Sequence, residues 1–339
     1  MVNLICNKLF ILAPLYFKQT SGGSAFIVTT LVFGLTLLLW NLYHKYCNTA
    51  IILTINNHKI KNIIIAFVSI LCSLIIATTI QQYSLVLKST VLQKTPTLII
   101  SILFISAALI GNTCSLKCIG IASVIFVPLT YVIANILLIL SVSLNDTSNF
   151  FPLFDTMNSK ILQDILLMQS MQFELFFMFF IPDFLIDVTK TKKTGNHVIT
   201  LSYICYLIIS IVYSITMPGV SNQSYEPFFR IIRMSRIGNT TANFDSIFLV
   251  LYCISAYIYL SSMFALVNKM IDLSSKKAII SPLKLISFLV ITVFTLNDFL
   301  GKYIFEIFSK YYGVLLIITF IVPTIFILLS RMQKCKVKN

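Results

Sequence analysis

The chain has 339 residues, of which 58% are hydrophobic and 11% are charged, and its formal net charge is +14. A soluble domain of this length needs a far larger share of polar surface, so the composition excludes a soluble protein and predicts an integral membrane protein. The basic residues fall between apolar segments, where they set membrane topology and contact anionic lipid headgroups. Membrane lipids, and not nucleic acid, are therefore the expected partners of this charge.

Apolar runs long enough to cross a bilayer recur along the whole chain. They predict a single transmembrane domain over residues 1–339, with ten helices near 3–17, 24–43, 62–86, 97–113, 118–143, 159–188, 198–218, 244–270, 281–299 and 311–331. Ten helices divide into two sets of five, which predicts an all-α bundle with a 5+5 inverted repeat. The first helix of each repeat is often interrupted near mid-membrane, so breaks are expected in the first and sixth spans.

The distribution of lysine and arginine predicts the orientation of the chain. If both termini are cytoplasmic, the inside connections and the C-terminal tail hold more basic residues than the outside connections. This arrangement agrees with the positive-inside rule, so both termini are expected on the cytoplasmic side.

The first span contains Asn7 and Pro14. Proline removes a helix hydrogen bond and blocks continuation of the helix on its N-terminal side. Pro14 is therefore a candidate for the break, and Asn7 and Pro14 are candidate ligand-binding residues. The alternative is an ordinary proline near a helix end.

The sixth span carries a polar group in the middle of an apolar run. This group comprises Gln169, Ser170, Gln172 and Glu174, and Phe173 precedes the carboxylate. Ser170, Gln172, Phe173 and Glu174 are the candidate ligand-binding residues of this span. A charge at that depth costs roughly 2.5–3.5 kcal/mol on insertion scales, so it is normally placed in a bundle interior or a wet cavity. An interrupted segment here would offer free backbone groups to a zwitterionic molecule, with Glu174 receiving an ammonium group. The alternative is a neutral Glu174 bonded to a neighbouring helix.

Residues 225–237 read YEPFFRIIRMSRI and include arginines at every third position, namely Arg230, Arg233 and Arg236. Apolar residues occupy the other side of this segment, which predicts a short amphipathic helix at the outer membrane surface. A solvated loop is the alternative.

The eighth span contains one polar stripe, formed by Tyr252, Ser255, Tyr259 and Ser262 at helical spacing. Ser255 and Tyr259 are candidates for lining the same cavity as Glu174. Hydrogen bonds between helices explain such a stripe equally well, since hydroxyl groups commonly join membrane helices.

No residues occur at catalytic or metal-binding spacing. Most of the eight cysteines lie in or beside apolar spans, and the closest pair, Cys114 and Cys118, is joined by no histidine or carboxylate. The three histidines lie in or beside predicted connections. The sequence therefore predicts neither an enzyme nor a metal or cofactor site.

Four short stretches, taken in order, carry a resemblance to a known family. They are Pro14 with Gly22, residues 149–154 (NFFPLF), Glu174 with the apolar run to Pro182, and residues 226–236 followed by the start of the eighth span. In these stretches, and over nearly its whole length, the chain resembles the B subunits of the bacterial endospore germinant receptors. That family is a branch of the amino acid–polyamine–organocation transporter superfamily.

The resemblance implies a LeuT-like fold and a receptor in the spore inner membrane. Such a subunit senses a small nutrient, in the first place an amino acid, in a transporter-like cavity, and it triggers germination. Its partners are the receptor's A subunit and a lipoprotein C subunit. Two other readings stay open: a transporter for an amino acid or similar solute, and a structural membrane subunit whose pocket binds nothing.

Overall fold

The computed structural model describes residues 24–46, 52, 57–113, 116–142, 162, 165–166, 168–169, 172, 174–181, 188–216, 229, 236–237, 240–241, 245–274, 277–297 and 321–325.

Bounds are defined for eight helices and two short strands. The helices are α1 (Ser24–Tyr46), α2 (His58–Thr90), α3 (Thr97–Thr113), α4 (Leu116–Val142), α5 (Glu174–Phe180), α6 (Val188–Thr216), α7 (Asp245–Asp272) and α8 (Lys277–Leu296). The strands are β1 (Arg236–Ile237) and β2 (Thr240–Thr241), which pair antiparallel.

Six helices of the described part of the chain are long and apolar enough to cross a membrane. They are α1, α2, α4, α6, α7 and α8, while α3 is apolar but shorter. Because every backbone polar group must be satisfied within the bilayer, repeated apolar helices of this kind indicate a multi-pass membrane protein.

Six predicted spans overlap observed helices closely. These are 24–43 with α1, 62–86 with α2, 97–113 with α3, 118–143 with α4, 244–270 with α7, and 281–299 with α8. The first span, 3–17, lies outside the described residues, as does most of 311–331.

The boundary between the sixth and seventh spans was predicted wrongly. Helix α5 ends at Phe180, well before residue 188, and α6 begins at Val188 instead of 198. Pro182 accounts for the early end, because a proline disfavours helical conformation in the residue before it. The predicted connection at 189–197 is helical because α1 packs against it, with the Trp40 indole donating to the Lys192 carbonyl at 3.2 Å.

The end of the predicted amphipathic helix also requires correction. Arg236 and Ile237 form strand β1, paired with Thr241 and Thr240 respectively, so a helix cannot continue to residue 237. Phe229 is helical and buried, and the rest of 225–235 lies outside the described residues.

The chain forms two compact units. The first contains Met1–Thr54, Tyr131–Asp245 and Tyr311–Asn339, and the second contains Ile55–Thr130 and Ser246–Lys310. In the first unit α1 packs along α6, and the rings of Phe33 and Tyr203 stack with their centroids 4.1 Å apart. This α1–α6 pair forms the framework of the candidate site.

In the second unit α2 packs against α3 and α8. Ser101 of α3 donates a hydrogen bond to Ser84 of α2 at 2.9 Å. The ring of Tyr83 lies edge-on to Tyr252 of α7, with centroids 5.1 Å apart. Hydroxyl and aromatic contacts therefore supplement the aliphatic packing of this unit.

Replacing Gln81 with leucine is expected to destabilise the second unit by about 1–3 kcal/mol, since it removes two hydrogen bonds that each contribute about 0.5–1.5 kcal/mol. The buried Gln81 amide donates to the carbonyls of Phe294 and Asn297 at the end of α8, both at 3.2 Å. Carbonyl groups at a helix end have no partner within the helix. Thermal unfolding of the purified protein in detergent measures the change.

The neighbouring residue supplies the control for this substitution. The Gln82 side-chain oxygen is buried and has no hydrogen-bond partner among the described residues. Because Gln82→Leu removes an unsatisfied polar group, it should leave the melting temperature unchanged or raise it. Equal losses for the two variants would show that Gln81 does not hold the end of α8.

Candidate functional site

The described residues of the sixth predicted span show an interrupted helix. Residues 165–166 and 168–169 are helical, Gln172 lies in a turn, and α5 starts at Glu174. The backbone N–H of Gln172 donates to the backbone carbonyl of Gln169 at 3.1 Å. This bond spans three residues, whereas an α-helical bond spans four. The interruption coincides with the polar group of this span, and no glycine is present there.

Glu174 is the first residue of α5 and is only 2% exposed. It interacts with its surroundings in the structure, so it is not an isolated group. A carboxylate in the first turn of a helix is favoured by the helix dipole, which reduces the cost of burying it.

Helix α1 is bonded to the chain on both sides of the interruption. Before it, the Thr36 hydroxyl lies 3.2 Å from the side-chain oxygen of Gln169. After it, the Tyr43 hydroxyl donates to the carbonyl of Phe179 at 3.3 Å, and the two rings have centroids 4.4 Å apart. Thr36 and Tyr43 lie two turns apart on one face of α1, so a single helix holds both segments.

A crevice opens beside the interruption, within the first unit. It is lined by Thr29, Val32, Phe33, Thr36, Met168, Gln172, Ile199, Ser202, Tyr203 and Tyr206. Its empty volume is about 310 Å3 when the space open to the surroundings is included. The enclosed part has room for about one water molecule, so a larger ligand requires the lining to move.

Most of the crevice lining comes from one face of each of two helices. Four residues come from α1 and four from α6, and each set has the spacing i, i+3, i+4, i+7 that places side chains on one helix face. Met168 and Gln172 come from the interrupted segment. No lining side chain carries a charge, and the polar ones are hydroxyl groups and one carboxamide.

The structure places two predicted site residues at the interruption. Gln172 lines the crevice and Glu174 is buried two residues further along. Ser170 and Phe173, also predicted for this site, lie outside the described residues, as do Asn7 and Pro14.

Ser255 and Tyr259 are buried in α7, in the second unit, and do not line this crevice. The Ser255 hydroxyl has no hydrogen-bond partner among the described residues. Tyr259, by contrast, interacts with its surroundings. The stripe on the eighth span is thus a buried face of α7.

Sequence reasoning missed the hydroxyl groups of α1 and α6, namely Thr29, Thr36, Ser202, Tyr203 and Tyr206. The same test of polar spacing within an apolar helix that singled out the eighth span would have found them. The signal is weak because such hydroxyl groups are satisfied locally. Thr36 donates to the Val32 carbonyl and Ser202 to the Val198 carbonyl, both at 2.8 Å.

Among the described residues, no group of three histidine, cysteine, aspartate or glutamate side chains could hold a metal ion. The same part of the chain contains four free cysteines: Cys72, Cys118, Cys205 and Cys253. The chemistry of the crevice therefore consists of hydrogen bonding and apolar contact.

No model of a known protein family matches the chain, and no curated protein is significantly similar to it.

Proposed function

We propose that the chain is the membrane subunit of a spore germinant receptor, which senses a small nutrient, in the first place an amino acid, and triggers germination. The proposal starts from the sequence resemblance. The structural observation that supports it best is the interrupted helix, with buried Glu174 after the break and Gln172 in the wall of a polar crevice.

An interrupted helix supports ligand binding because it frees backbone groups inside the bilayer. Non-helical backbone at membrane depth is tolerated only where it is buried in protein or lines a cavity. In transporter folds such breaks bind the charged groups of small solutes. Glu174 would supply the negative charge for an ammonium group, and a buried carboxylate is costly enough to indicate a function of this kind.

A receptor also requires that binding change the population of two states. The bonds from α1 provide a physical route for such a change. Thr36 holds the segment before the break, and Tyr43 holds Phe179 after it. A ligand that alters the angle at the break must therefore strain or release one of these bonds and so displace α1. The A subunit and the lipoprotein C subunit would respond to that displacement.

The alternative function is a transporter for an amino acid or similar solute. An interrupted helix favours it equally, since such helices are typical of secondary transporters. The two functions differ in flux, because a transporter moves solute across the bilayer without any partner subunit.

Two measurements test the proposal. Spores that lack the chain should lose their response to at least one nutrient, and the wild-type chain should restore it. Proteoliposomes that contain only the purified chain should accumulate no radiolabelled amino acid. Normal germination without the chain, together with uptake by the purified chain, would reject the receptor and support the transporter.

A further inference from the structure

The strongest unassigned feature of the site is the side chain of Gln169. It is 2% exposed and lies beside the interruption, between crevice residue Met168 and the turn at Gln172. Its side-chain oxygen lies 3.2 Å from the hydroxyl of Thr36, another crevice residue. Its side-chain nitrogen is buried and has no hydrogen-bond partner among the described residues.

Thr36 cannot satisfy this amide by itself. A threonine hydroxyl has one proton. The Thr36 oxygen lies 2.8 Å from the Val32 carbonyl and 3.2 Å from the Gln169 oxygen, and both positions need that proton. The single proton can serve only one of these two acceptors at a time.

Rotation of the Gln169 amide by half a turn changes which atom lacks a partner. The nitrogen would then donate to the Thr36 oxygen, and the carbonyl oxygen would take the buried position that has no partner. One orientation therefore requires an external acceptor and the other an external donor. Leaving either group unsatisfied costs about 1–3 kcal/mol.

A group that both donates and accepts is satisfied whichever way the Gln169 amide turns, whereas a pure donor or a pure acceptor fits one orientation alone. Hydroxyl and carboxamide groups do both, whereas a carboxylate only accepts and an ammonium group only donates. The lining points the same way, because it offers hydroxyl groups and one carboxamide but no charge to balance an ion. An ion placed there would lose its hydration with no opposite charge among the lining side chains to compensate it.

We infer that Gln169 and Thr36 form a recognition point for an uncharged hydroxyl or carboxamide group of the nutrient. This inference rests on the proposed function and narrows its substrate class. Gln169 itself does not line the crevice, so the group would enter beside Thr36, which does, and reach the Gln169 amide next to it. The Gln169 amide would select its orientation according to the group that enters.

Near-isosteric amino acids test this inference on the full chain in lipid nanodiscs. L-threonine is compared with L-valine, and L-asparagine with L-leucine and L-aspartate, by ligand-dependent thermal stabilisation. The wild type should bind threonine roughly tenfold more tightly than valine, and asparagine roughly tenfold more tightly than leucine and aspartate. A tenfold difference in affinity corresponds to about one hydrogen bond. The preference should disappear in Gln169→Leu and in Thr36→Val.

Two further variants keep the test valid if Gln169→Leu fails to fold. Thr36→Ser retains the hydroxyl and should retain the preference. Thr200→Val removes an exposed hydroxyl of α6 that bonds only within its helix, to the Asn196 carbonyl at 2.9 Å, and it should change nothing.

The possible outcomes separate this inference from the proposed function. Equal binding of threonine and valine by the wild type, or a preference that persists in Thr36→Val, would overturn the inference and leave the receptor proposal standing. Failure of the wild type to bind any of the five amino acids would also overturn the inference, whereas the receptor proposal is decided by the germination of spores that lack the chain.

Discussion

Replacing Gly195 with alanine is expected to destabilise the first unit by about 1–3 kcal/mol, the range typical of overpacking in a closely packed core. A methyl group at this position of α6 would lie 2.6 Å from the indole nitrogen of Trp40 and closer still to its ring carbons. Trp40 is fully buried and donates to the Lys192 carbonyl, so its ring cannot withdraw. Thermal unfolding of the purified chain in detergent measures the loss.

Gly34 of α1 provides the matched control, since a methyl group there would meet no atom within 4 Å. Alanine is a better helix former than glycine by about 1 kcal/mol, so Gly34→Ala should be neutral or stabilising. The same propensity gain is present in Gly195→Ala, and a net loss there isolates the clash with Trp40. If both variants have the same melting temperature, α1 and α6 do not approach each other at this point.

Close packing of α1 and α6 also explains why the start of α6 was predicted incorrectly. Hydropathy follows the apolar run, which begins near residue 198, because only that part must avoid water. The helix continues to Val188 through tertiary bonds that no local pattern records. The amide groups of Asn41 and Asn196 exchange contacts at 3.4 Å, and the Trp40 bond lies one turn away.

The apolar runs were sufficient to predict six of the helices, namely α1, α2, α3, α4, α7 and α8. Inside a bilayer every backbone N–H and C=O group must be satisfied within the segment, so an apolar run of spanning length has little choice but to be helical. The segment after α6 lacks this constraint. The arginine spacing predicted a helix to residue 237, but Gly238 and Asn239 separate the paired residues Ile237 and Thr240. A Gly-Asn pair between short extended segments is a hairpin signal, and it outweighed the three-residue repeat.

Some residues of the candidate site could also be predicted from the sequence, and others could not. Gln172 and Glu174 were predictable because charged and amide groups are conspicuous within an apolar run. Thr29 and Ser202 gave only a weak signal, because hydroxyl groups in membrane helices are commonly satisfied within their own helix or by a neighbouring helix and do not show which face will line a cavity. That choice depends on how α1 and α6 pack against each other, and it becomes visible only when the two faces meet.

Replacing Glu174 with glutamine is expected to raise the nutrient concentration needed for spore germination roughly tenfold or more, because hydrogen bonds to charged groups contribute about 1.5–3 kcal/mol. The substitution keeps the size of the side chain and removes its charge. Glu174 is buried at the start of α5, directly after the interruption, where its carboxylate would face an ammonium group of the nutrient under the proposed function. Germination is followed by loss of optical density across a panel of amino acids, with subunit levels measured by immunoblotting.

Glu174→Asp retains the charge on a shorter side chain and should recover part of the response, whereas a loss caused by misfolding would lower the subunit level in both variants. Gln82→Leu in the second unit removes a half-buried carboxamide and should leave germination unchanged. An unaltered response in Glu174→Gln at normal subunit level would make Glu174 a neutral structural residue that is bonded within the bundle. Binding of the nutrient at the interruption would then lose its main support. The inferred recognition of a hydroxyl or carboxamide group by Gln169 and Thr36 would still be tested by the near-isosteric amino acids, because that comparison does not depend on the charge at position 174.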